Sequence, residues 1–403
     1  MMSSARFTGV ALIALLLQQT QARFAITGFN NVAVYWGQNS YGQASGGMEQ
    51  KRLSEYCADT NVDIIPMAFL YQMTTGTGGE PVINFANQGN NCEPFPGTNL
   101  LNCPDIGADI TTCQTKYNKT ILLSVGGATY TEGGFTSPDQ AKSMAIKMWE
   151  TFGPPPTGAA DTSPNTASST ATAPLSTATA PLSTATAPLS SSTASPSTNA
   201  TYTNSTSPAK RQSTALRPFG TASIDGFDLD FESTTTNMVT FAQTLRSLMD
   251  AQTQKPYYLT AAPQCVYPDA ADNEMLNGTV AFDAIFVQFY NNYCGIQSYV
   301  ADAAEQNNFN FAVWDNWAKT VSKNPDVKVL LGVPAGQTAA GSGYLSVDKL
   351  AAVIDYCKTF DSFGGIMAWD LSQAYANDGF LPGARSSLLA AKRRMIRGMT
   401  WRK

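Results

Sequence analysis

The sequence of 403 residues contains no histidine. This absence excludes Ser-His-Asp and Cys-His nucleophilic systems, histidine general bases and zinc sites built from imidazole. Basic residues are also outnumbered, because 25 Lys and Arg stand against 30 Asp and Glu and leave a net charge of −5. Nucleic-acid binding needs a basic face, so we do not expect it. Because histidine is absent, any catalysis by this chain must depend on carboxylates, tyrosines and amides.

Apolar runs long enough to cross a bilayer are absent as well. The short apolar run from Val10 to Leu17 follows Arg6 and precedes Thr20-Gln21-Ala22, which is typical of a secretory signal. We predict a signal peptide over residues 1–22 and a secreted protein, extracellular or associated with the cell wall. Sequons for N-glycosylation agree with that route; they begin at Asn118, Asn199, Asn204 and Asn277.

Cysteines are few, and none lies in a CxxC or other metal-like spacing. An oxidising compartment favours disulfides, but spacing alone does not give their pairing. The count of seven is odd, so at least one is unpaired or intermolecular. We expect neither a metal nor another cofactor. The cysteines are Cys57, Cys92, Cys103, Cys113, Cys265, Cys294 and Cys357.

One segment differs in composition from the rest of the chain. From about Gly153 to Pro208 it is almost wholly Ser, Thr, Ala and Pro, and Ser-Thr-Ala-Thr-Ala-Pro-Leu occurs three times between Ser169 and Leu189. Such a segment cannot bury enough apolar surface to offset ordering, so we predict a disordered, O-glycosylated insertion over residues 153–217. A cell-wall tether, a spacer and a glycan shield all remain open as its purpose. The insertion divides a catalytic unit into residues 23–152 and 218–385, and a basic tail follows over residues 386–403.

The most informative segment alternates apolar and acidic residues from Phe227 to Glu232. This period of two is typical of a β-strand and places Asp228, Asp230 and Glu232 on one face, about 6.6 Å apart. A solvated strand face is the alternative. The neighbouring residues argue against it, because the opposite face and the upstream run from Leu122 to Val125 are apolar. The carboxylates should therefore line a polar cavity.

Three ionised carboxylates in a row would repel one another. Such a cluster keeps at least one proton and raises at least one pKa. A carboxylic acid that stays protonated near neutral pH can serve as a general acid. The strand therefore predicts acid catalysis.

Candidate strands recur along the chain and alternate with helix-like stretches, which predicts a parallel α/β fold. Without the signal and the insertion, roughly 320 residues remain, the size of a (β/α)8 TIM barrel. The insertion would lie in the loop before the fourth strand, at the face opposite the active site. The predicted strands are Val32–Trp36, Ile64–Leu70, Thr120–Val125, Gly226–Phe231, Tyr257–Ala262, Ala284–Tyr290, Lys328–Val333 and Gly365–Trp369.

Polar and aromatic residues follow the carboxyl ends of these strands. Active sites of TIM barrels lie at that end, so we expect these side chains to converge. They are Tyr35, Gln38, Ser124, Glu232, Gln264, Gln288, Tyr290 and Trp369.

Two motifs resemble signatures of glycoside hydrolase family 18. The run from Asp225 to Glu232 resembles its DGxDxDxE motif, and Ser124-Val125-Gly126-Gly127 resembles its SxGG motif. Further runs are similar to class III chitinases of plants and fungi, of the hevamine type, and the similarity extends from about Asn31 to Asn377. These runs are Tyr35-Trp36-Gly37-Gln38-Asn39, Leu259-Thr260-Ala261-Ala262-Pro263-Gln264-Cys265, Val287-Gln288-Phe289-Tyr290-Asn291-Asn292 and Ala340-Gly341-Ser342-Gly343-Tyr344.

The resemblance implies a retaining, substrate-assisted glycosidase. Glu232 would be the general acid and then the base. Asp230 would orient the acetamido group of the substrate, Asp228 would tune Asp230, and Tyr290 would fix the acetamido oxygen. The implied substrate-binding residues are Tyr35, Gln38, Phe69, Asn84, Gln288 and Trp369.

The same resemblance implies three disulfides, Cys57–Cys113, Cys92–Cys103 and Cys265–Cys294, and leaves Cys357 as a buried thiol. It favours a monomeric endochitinase acting on chitin or chitin oligosaccharides. Two alternatives remain open. One is a non-catalytic chitin-binding lectin on the same fold. The other is an endo-β-N-acetylglucosaminidase or a lysozyme-like glycosidase.

Overall fold

The computed structural model describes residues 24–155 and 215–391 of the chain. The predicted signal peptide, residues 156–214 of the predicted insertion and residues 392–403 of the predicted basic tail lie outside the described residues. Among the described residues, no helix combines the length and apolar character that crossing a membrane would need.

Eight parallel strands form a closed barrel, which confirms the predicted (β/α)8 fold. Each strand pairs with the next, and the first pairs with both the second and the last, so the sheet closes on itself. All eight predicted strands are present. They are β1 (Asn31–Val34), β2 (Ile64–Gln72), β3 (Thr120–Gly126), β4 (Gly226–Asp230), β5 (Tyr258–Ala261), β6 (Ala284–Gln288), β7 (Lys328–Pro334) and β8 (Phe363–Trp369).

Helices surround the barrel and follow the strands in turn. Their starts use ordinary signals: α3 begins at Pro138, and the side chain of Ser137 caps it by accepting a hydrogen bond from the Gln140 N–H. The helices are α1 (Leu53–Cys57), α2 (Pro104–Thr115), α3 (Pro138–Phe152), α4 (Met238–Asp250), α5 (Asn273–Leu276), α6 (Phe311–Thr320), α7 (Val347–Cys357), α8 (Leu371–Ala376) and α9 (Phe380–Leu389).

Strand alternation produces two apolar layers. One large core lies between the sheet and the helices. A smaller cluster fills the barrel interior, and Phe24 belongs to it through ring contact with Tyr258 at 4.9 Å. Small side chains such as Ala33, Ala68 and Ala284 share this interior. The barrel is therefore a packed core rather than a pore.

The two ends of the insertion are held together at the opposite end of the barrel. Its amino-terminal side leaves the end of α3, and its carboxyl-terminal side returns before β4. Arg217 links them by donating hydrogen bonds of 2.7 Å to the carbonyls of Glu150 and Gly153. Ile224 also donates to the Phe152 carbonyl at 3.2 Å. The insertion point thus lies away from the carboxyl ends of the strands.

Three disulfides join loops and helices: Cys57–Cys113, Cys92–Cys103 and Cys265–Cys294. They are the pairs that the resemblance implies. Cys357 is a buried free thiol in α7. The first disulfide joins α1 to α2, and the third joins the loops after β5 and β6.

Candidate active site

Asp228 is the deepest carboxylate of β4. The parallel register aligns it with Ser124 of β3 and Thr260 of β5. Three hydroxyls donate to it: Tyr35 and Ser124 to Oδ2 at 2.7 Å, and Thr260 to Oδ1 at 2.6 Å. Complete burial raises the pKa of Asp228, whereas these hydrogen bonds lower it. Since both of its oxygens accept hydrogen bonds from neighbouring side chains, Asp228 is fixed in position beneath the cavity.

Asp230 lies two residues further along β4, on the same face and nearer the carboxyl end of the strand, and is also buried. Gln288 of β6 donates to its Oδ1 at 3.0 Å and to the Ala262 carbonyl at 2.9 Å, which fixes both side chains. Burial, followed by repulsion from Glu232 and Asp228, raises the pKa of Asp230 well above its ordinary value. The cluster therefore retains a proton at a pH where an exposed aspartic acid would have lost it.

Glu232 follows the carboxyl end of β4 and reaches the mouth of the cavity. The surrounding protein removes part of the hydration of its carboxyl group and so raises the pKa of Glu232. The three carboxylates thus run from the barrel interior to solvent, and the outermost can exchange a proton with a bound molecule.

A cavity of about 350 Å³ opens at the carboxyl-terminal end of the barrel. Trp369 contributes one wall; its indole stacks on Phe69 with ring centroids 5.8 Å apart and contacts Tyr35 at 5.4 Å. The cavity is lined by Gln38, Phe69, Ala128, Thr129, Asp230, Glu232, Gln264, Gln288, Tyr290, Asn291, Asn292, Ala339 and Trp369.

Tyr290 brings a hydroxyl to the same cavity from the end of β6. Burial and repulsion from Asp230 and Glu232 raise the pKa of Tyr290 well above its ordinary value. Its hydroxyl therefore keeps its proton and can donate a hydrogen bond into the cavity.

Gly126 and Gly127 allow β3 to approach its neighbours closely. Both have positive φ, at 112° and 77°. A Cβ at Gly126 would lie 2.4 Å from the Asp230 carbonyl oxygen, and one at Gly127 would lie 2.7 Å from the Phe69 ring. The two glycines therefore serve close backbone approach, and they set the spacing of the cavity walls.

The structure brings most of the predicted site residues into this cavity and leaves three outside its lining. Tyr35 and Asp228 lie beneath it, hydrogen-bonded to each other. Asn84 lines an adjoining groove instead, and its carbonyl accepts a hydrogen bond of 3.1 Å from Gln38. The predicted catalytic and substrate-binding residues that line the cavity are Gln38, Phe69, Asp230, Glu232, Gln288, Tyr290 and Trp369, and Gln264, expected at the carboxyl ends of the strands, lines it as well.

Some lining residues were missed as site residues. Ala128 and Thr129 directly follow the SxGG motif, and Asn291 and Asn292 end a run quoted for the resemblance, so adjacency to a motif could have identified them. Ala339 directly precedes another quoted run, Ala340 to Tyr344, so the same adjacency applies to it. Residues 24–155 and 215–391 contain no group of three or more Cys, Asp or Glu that could hold a metal ion.

Comparison with known proteins identifies relatives. Residues 195–343 match the profile of "Glycosyl hydrolases family 18". The chain is 46% identical over 370 residues to a "Class III chitinase" of Arthroderma benhamiae, covering 92% of this chain and 89% of that protein. It is 41% identical over 374 residues to "Endochitinase 33" of Trichoderma harzianum, covering 93% and 96%.

Solved structures have the same fold. The ICChI chitinase of Ipomoea carnea superposes with a TM-score of 0.58 at 25% identity, covering 89% of this chain and 99% of that one. The xylanase and alpha-amylase inhibitor protein XAIP-II of Scadoxus multiflorus superposes with a TM-score of 0.59 at 26% identity, covering 89% and 98%. The similar structures thus include an enzyme and an inhibitor.

Proposed function

Since this chain belongs to glycosyl hydrolase family 18 and is a chitinase, we propose that it is a secreted endochitinase with Glu232 as its general acid and base. Its substrate is a polymer of β-1,4-linked N-acetylglucosamine, cleaved with retention of configuration and with help from the substrate's own acetamido group. One observation carries the proposal: Glu232, Asp230 and Tyr290 line a single cavity beside Trp369.

In the first step, protonated Glu232 donates its proton to the glycosidic oxygen as the bond to the anomeric carbon breaks. The acetamido carbonyl oxygen of the same sugar forms the new bond to that carbon and gives an oxazolinium ion. The leaving chain takes the proton, and Glu232 is left as a carboxylate.

Asp230 and Tyr290 place the acetamido group for this attack. The Asp230 carboxylate accepts a hydrogen bond from the acetamido N–H and stabilises the positive charge that develops there. The Tyr290 hydroxyl donates to the acetamido oxygen and fixes its direction, which is a proximity effect. Gln288 holds Asp230 in position, and Asp228 tunes it through its charge.

In the second step, the Glu232 carboxylate takes a proton from an incoming water molecule. The water oxygen bonds to the anomeric carbon, and the bond to the acetamido oxygen breaks. The product keeps the β configuration, and Glu232 regains the proton it donated. The Trp369 indole supplies a flat apolar surface for the sugar that undergoes this change.

The test compares the protein with its Glu232→Gln variant on chitin hexamer, following product size and anomeric form by chromatography. We expect short oligomers that appear first as β-anomers. Glu232→Gln should abolish turnover and leave oligosaccharide binding largely intact, because shape and hydrogen bonding survive without the proton. Glu55→Gln, on the exposed side of α1, is the matched control and should retain full activity.

Other outcomes select the alternatives. Retention on chitin without cleavage would identify a lectin on the same fold. Cleavage of a glycoprotein or bacterial wall without cleavage of chitin would identify the other glycosidase classes. Substantial activity in Glu232→Gln would remove Glu232 from the acid role.

A further inference from the structure

An open groove of about 840 Å³ adjoins the catalytic cavity on the side of β1 and β2. The cavity and the groove meet at neighbouring residues, because Gln38 lines the cavity and Asn39 lines the groove. The Gln38 side chain also donates to the Asn84 carbonyl at 3.1 Å across that border. Carboxamides supply many of the polar groups in the groove, from Asn39, Asn84, Asn87, Asn90 and Asn99.

The buried side chain of Gln50 also joins the two loops that frame this groove. Its Oε1 accepts from the Gly37 N–H at 2.8 Å and from the Asn39 N–H at 3.1 Å, both in the loop after β1. Its Nε2 donates to the Phe85 carbonyl at 3.1 Å and to Asn87 Oδ1 at 3.2 Å, both in the loop after β2. The Gln50 carboxamide thus links the loop after β1 to the loop after β2.

The main chain of Gln50 repeats the link. Its N–H donates to Asn39 Oδ1 at 3.0 Å, and its carbonyl accepts from Asn87 Nδ2 and Gln88 Nε2 at 2.9 Å each. Gln50 is 1% exposed, and each of its four polar groups is hydrogen-bonded. A buried carboxamide that lost these partners would leave several groups unsatisfied, so the network fixes one arrangement.

Both loops have backbone conformations that need such support. Asn39 has φ of 47° and Ala86 has φ of 49°, in the left-handed region that is unfavourable for alanine. Asn39 is itself hydrogen-bonded to Gln50, and Ala86 lies between Phe85 and Asn87, which are both hydrogen-bonded to Gln50. The hydrogen bonds of Gln50 to Asn39, Phe85 and Asn87 therefore help to hold these two conformations.

We propose that Gln50 is a positioning residue that holds the loops after β1 and β2 together as a binding groove for sugar units beyond the catalytic cavity. This inference rests on the proposed function. The Asn90 and Asn99 carboxamides line the groove outside the Gln50 network, and a carboxamide both donates and accepts hydrogen bonds, as the acetamido and hydroxyl groups of N-acetylglucosamine require. Gln50 therefore favours long chains over short ones and leaves the chemistry at Glu232 unaffected.

The experiment measures kcat and KM for chitin hexamer and for an aryl glycoside of the N-acetylglucosamine disaccharide. The variants are Gln50→Leu and Gln50→Glu. Gln50→Leu removes all hydrogen bonds of the side chain, whereas Gln50→Glu keeps an oxygen that accepts hydrogen bonds and loses the N–H group that donates them. For Gln50→Leu we expect a roughly tenfold fall in hexamer kcat/KM through KM, and little change with the short substrate. Gln50→Glu should lie between, and it also serves if Gln50→Leu does not fold.

The matched control is Gln114→Leu, which removes two hydrogen bonds of 2.8 Å, to Ser223 and Asp225, near the amino end of β4. It should lower thermal stability without changing the ratio between the substrates. If the Gln50 variants lose kcat/KM equally on both substrates, or lose none on either, the ratio of kcat/KM between the substrates is unchanged. That result would overturn the role of Gln50. If the unmodified protein cleaves neither substrate, the proposed function itself fails.

Discussion

At the scale of single residues, depth in the barrel separates three carboxylates of the same strand. Asp228 is enclosed by three hydroxyls, Asp230 is buried but reaches the cavity, and Glu232 lies at its mouth. Burial raises the pKa of all three, and repulsion adds to the effect on Asp230. Carboxyl groups on one strand thus occupy three different environments, and the proposed mechanism assigns each of them a different role.

The pH profile should follow from the raised pKa of Glu232. Only the protonated carboxyl can donate, so kcat/KM should fall as pH rises through that pKa. We expect this alkaline limb above the ordinary glutamic acid pKa of about 4.3. Initial rates on chitin hexamer across a pH series test this; an alkaline limb at or below that value would contradict it.

Asp272 offers a separate test at the residue scale. It is fully buried, and both of its carboxyl oxygens lack a hydrogen-bond partner among the described residues. Burial and repulsion from Asp269 raise the pKa of Asp272 well above its ordinary value. The folded state then binds more protons than the unfolded state, so this group favours folding at low pH and opposes it as pH rises through the folded pKa.

Asp272→Asn should therefore raise the Tm at about pH 8, by on the order of 3 °C, with a smaller change at about pH 4. Thermal melts at both pH values measure it. Asp283→Asn is the contrasting control, because it weakens the ion pair that Arg246 makes at 2.8 Å and should lower the Tm. A lower Tm for Asp272→Asn at about pH 8 would show that its charged form is stabilised.

At the scale of elements, the loops after β5 and β6 form one unit at the cavity rim. The disulfide Cys265–Cys294 joins them, and Asn292 donates to Gln264 Oε1 at 3.2 Å beside it. Both of these polar residues line the cavity. The disulfide Cys57–Cys113 instead joins α1 and α2 on the outside of the barrel.

Replacing both Cys265 and Cys294 with serine should therefore affect function as well as stability. Closing a loop of 29 residues contributes about 3–4 kcal/mol by the chain-entropy relation. We expect a lower Tm together with a lower kcat/KM, measured well below the new Tm. The paired Cys57→Ser and Cys113→Ser change should lower only the Tm. Equal kinetic losses in the two double variants would argue against a role for the rim disulfide.

At the scale of the whole molecule, the barrel separates its active end from the end that carries the insertion. Arg217 holds the two ends of the insertion against α3, and the carboxylates lie at the other ends of the strands. Loops at the amino-terminal face of a TIM barrel serve stability rather than catalysis. The described attachment points of the insertion therefore lie at the end of the barrel opposite the cavity.

Deleting Gly158 to Ser207 should leave activity on soluble oligomers nearly unchanged. The measurement is kcat/KM on chitin hexamer, with a replacement of equal length rich in Gly and Ser as the matched control. A large fall in turnover with the fold intact would show that the insertion acts at the cavity. A fall only on insoluble chitin would indicate a role as a spacer or tether.

The sequence by itself predicted the barrel and much of its site. Alternation from Phe227 to Glu232 predicted the strand that carries the three carboxylates, and strand-like runs between helix-like stretches located all eight strands. Predicted ends differed by a few residues: Trp36 and Tyr290 were assigned to strands that end at Val34 and Gln288. Local patterns fix which residues alternate, but pairing across the barrel decides where a ladder stops.

Tertiary structure alone decided which polar residues meet. Gln50 lies in no motif, yet it joins two loops that are far apart in sequence. Asn84 matched the resemblance but lies in the groove rather than the cavity. The physical reason is that strand period and motif spacing are local, whereas burial, hydrogen-bond partners and pKa depend on neighbours that only folding brings together. The sequence thus determined the fold and the type of chemistry, and the packed barrel determined the position and charge of each group.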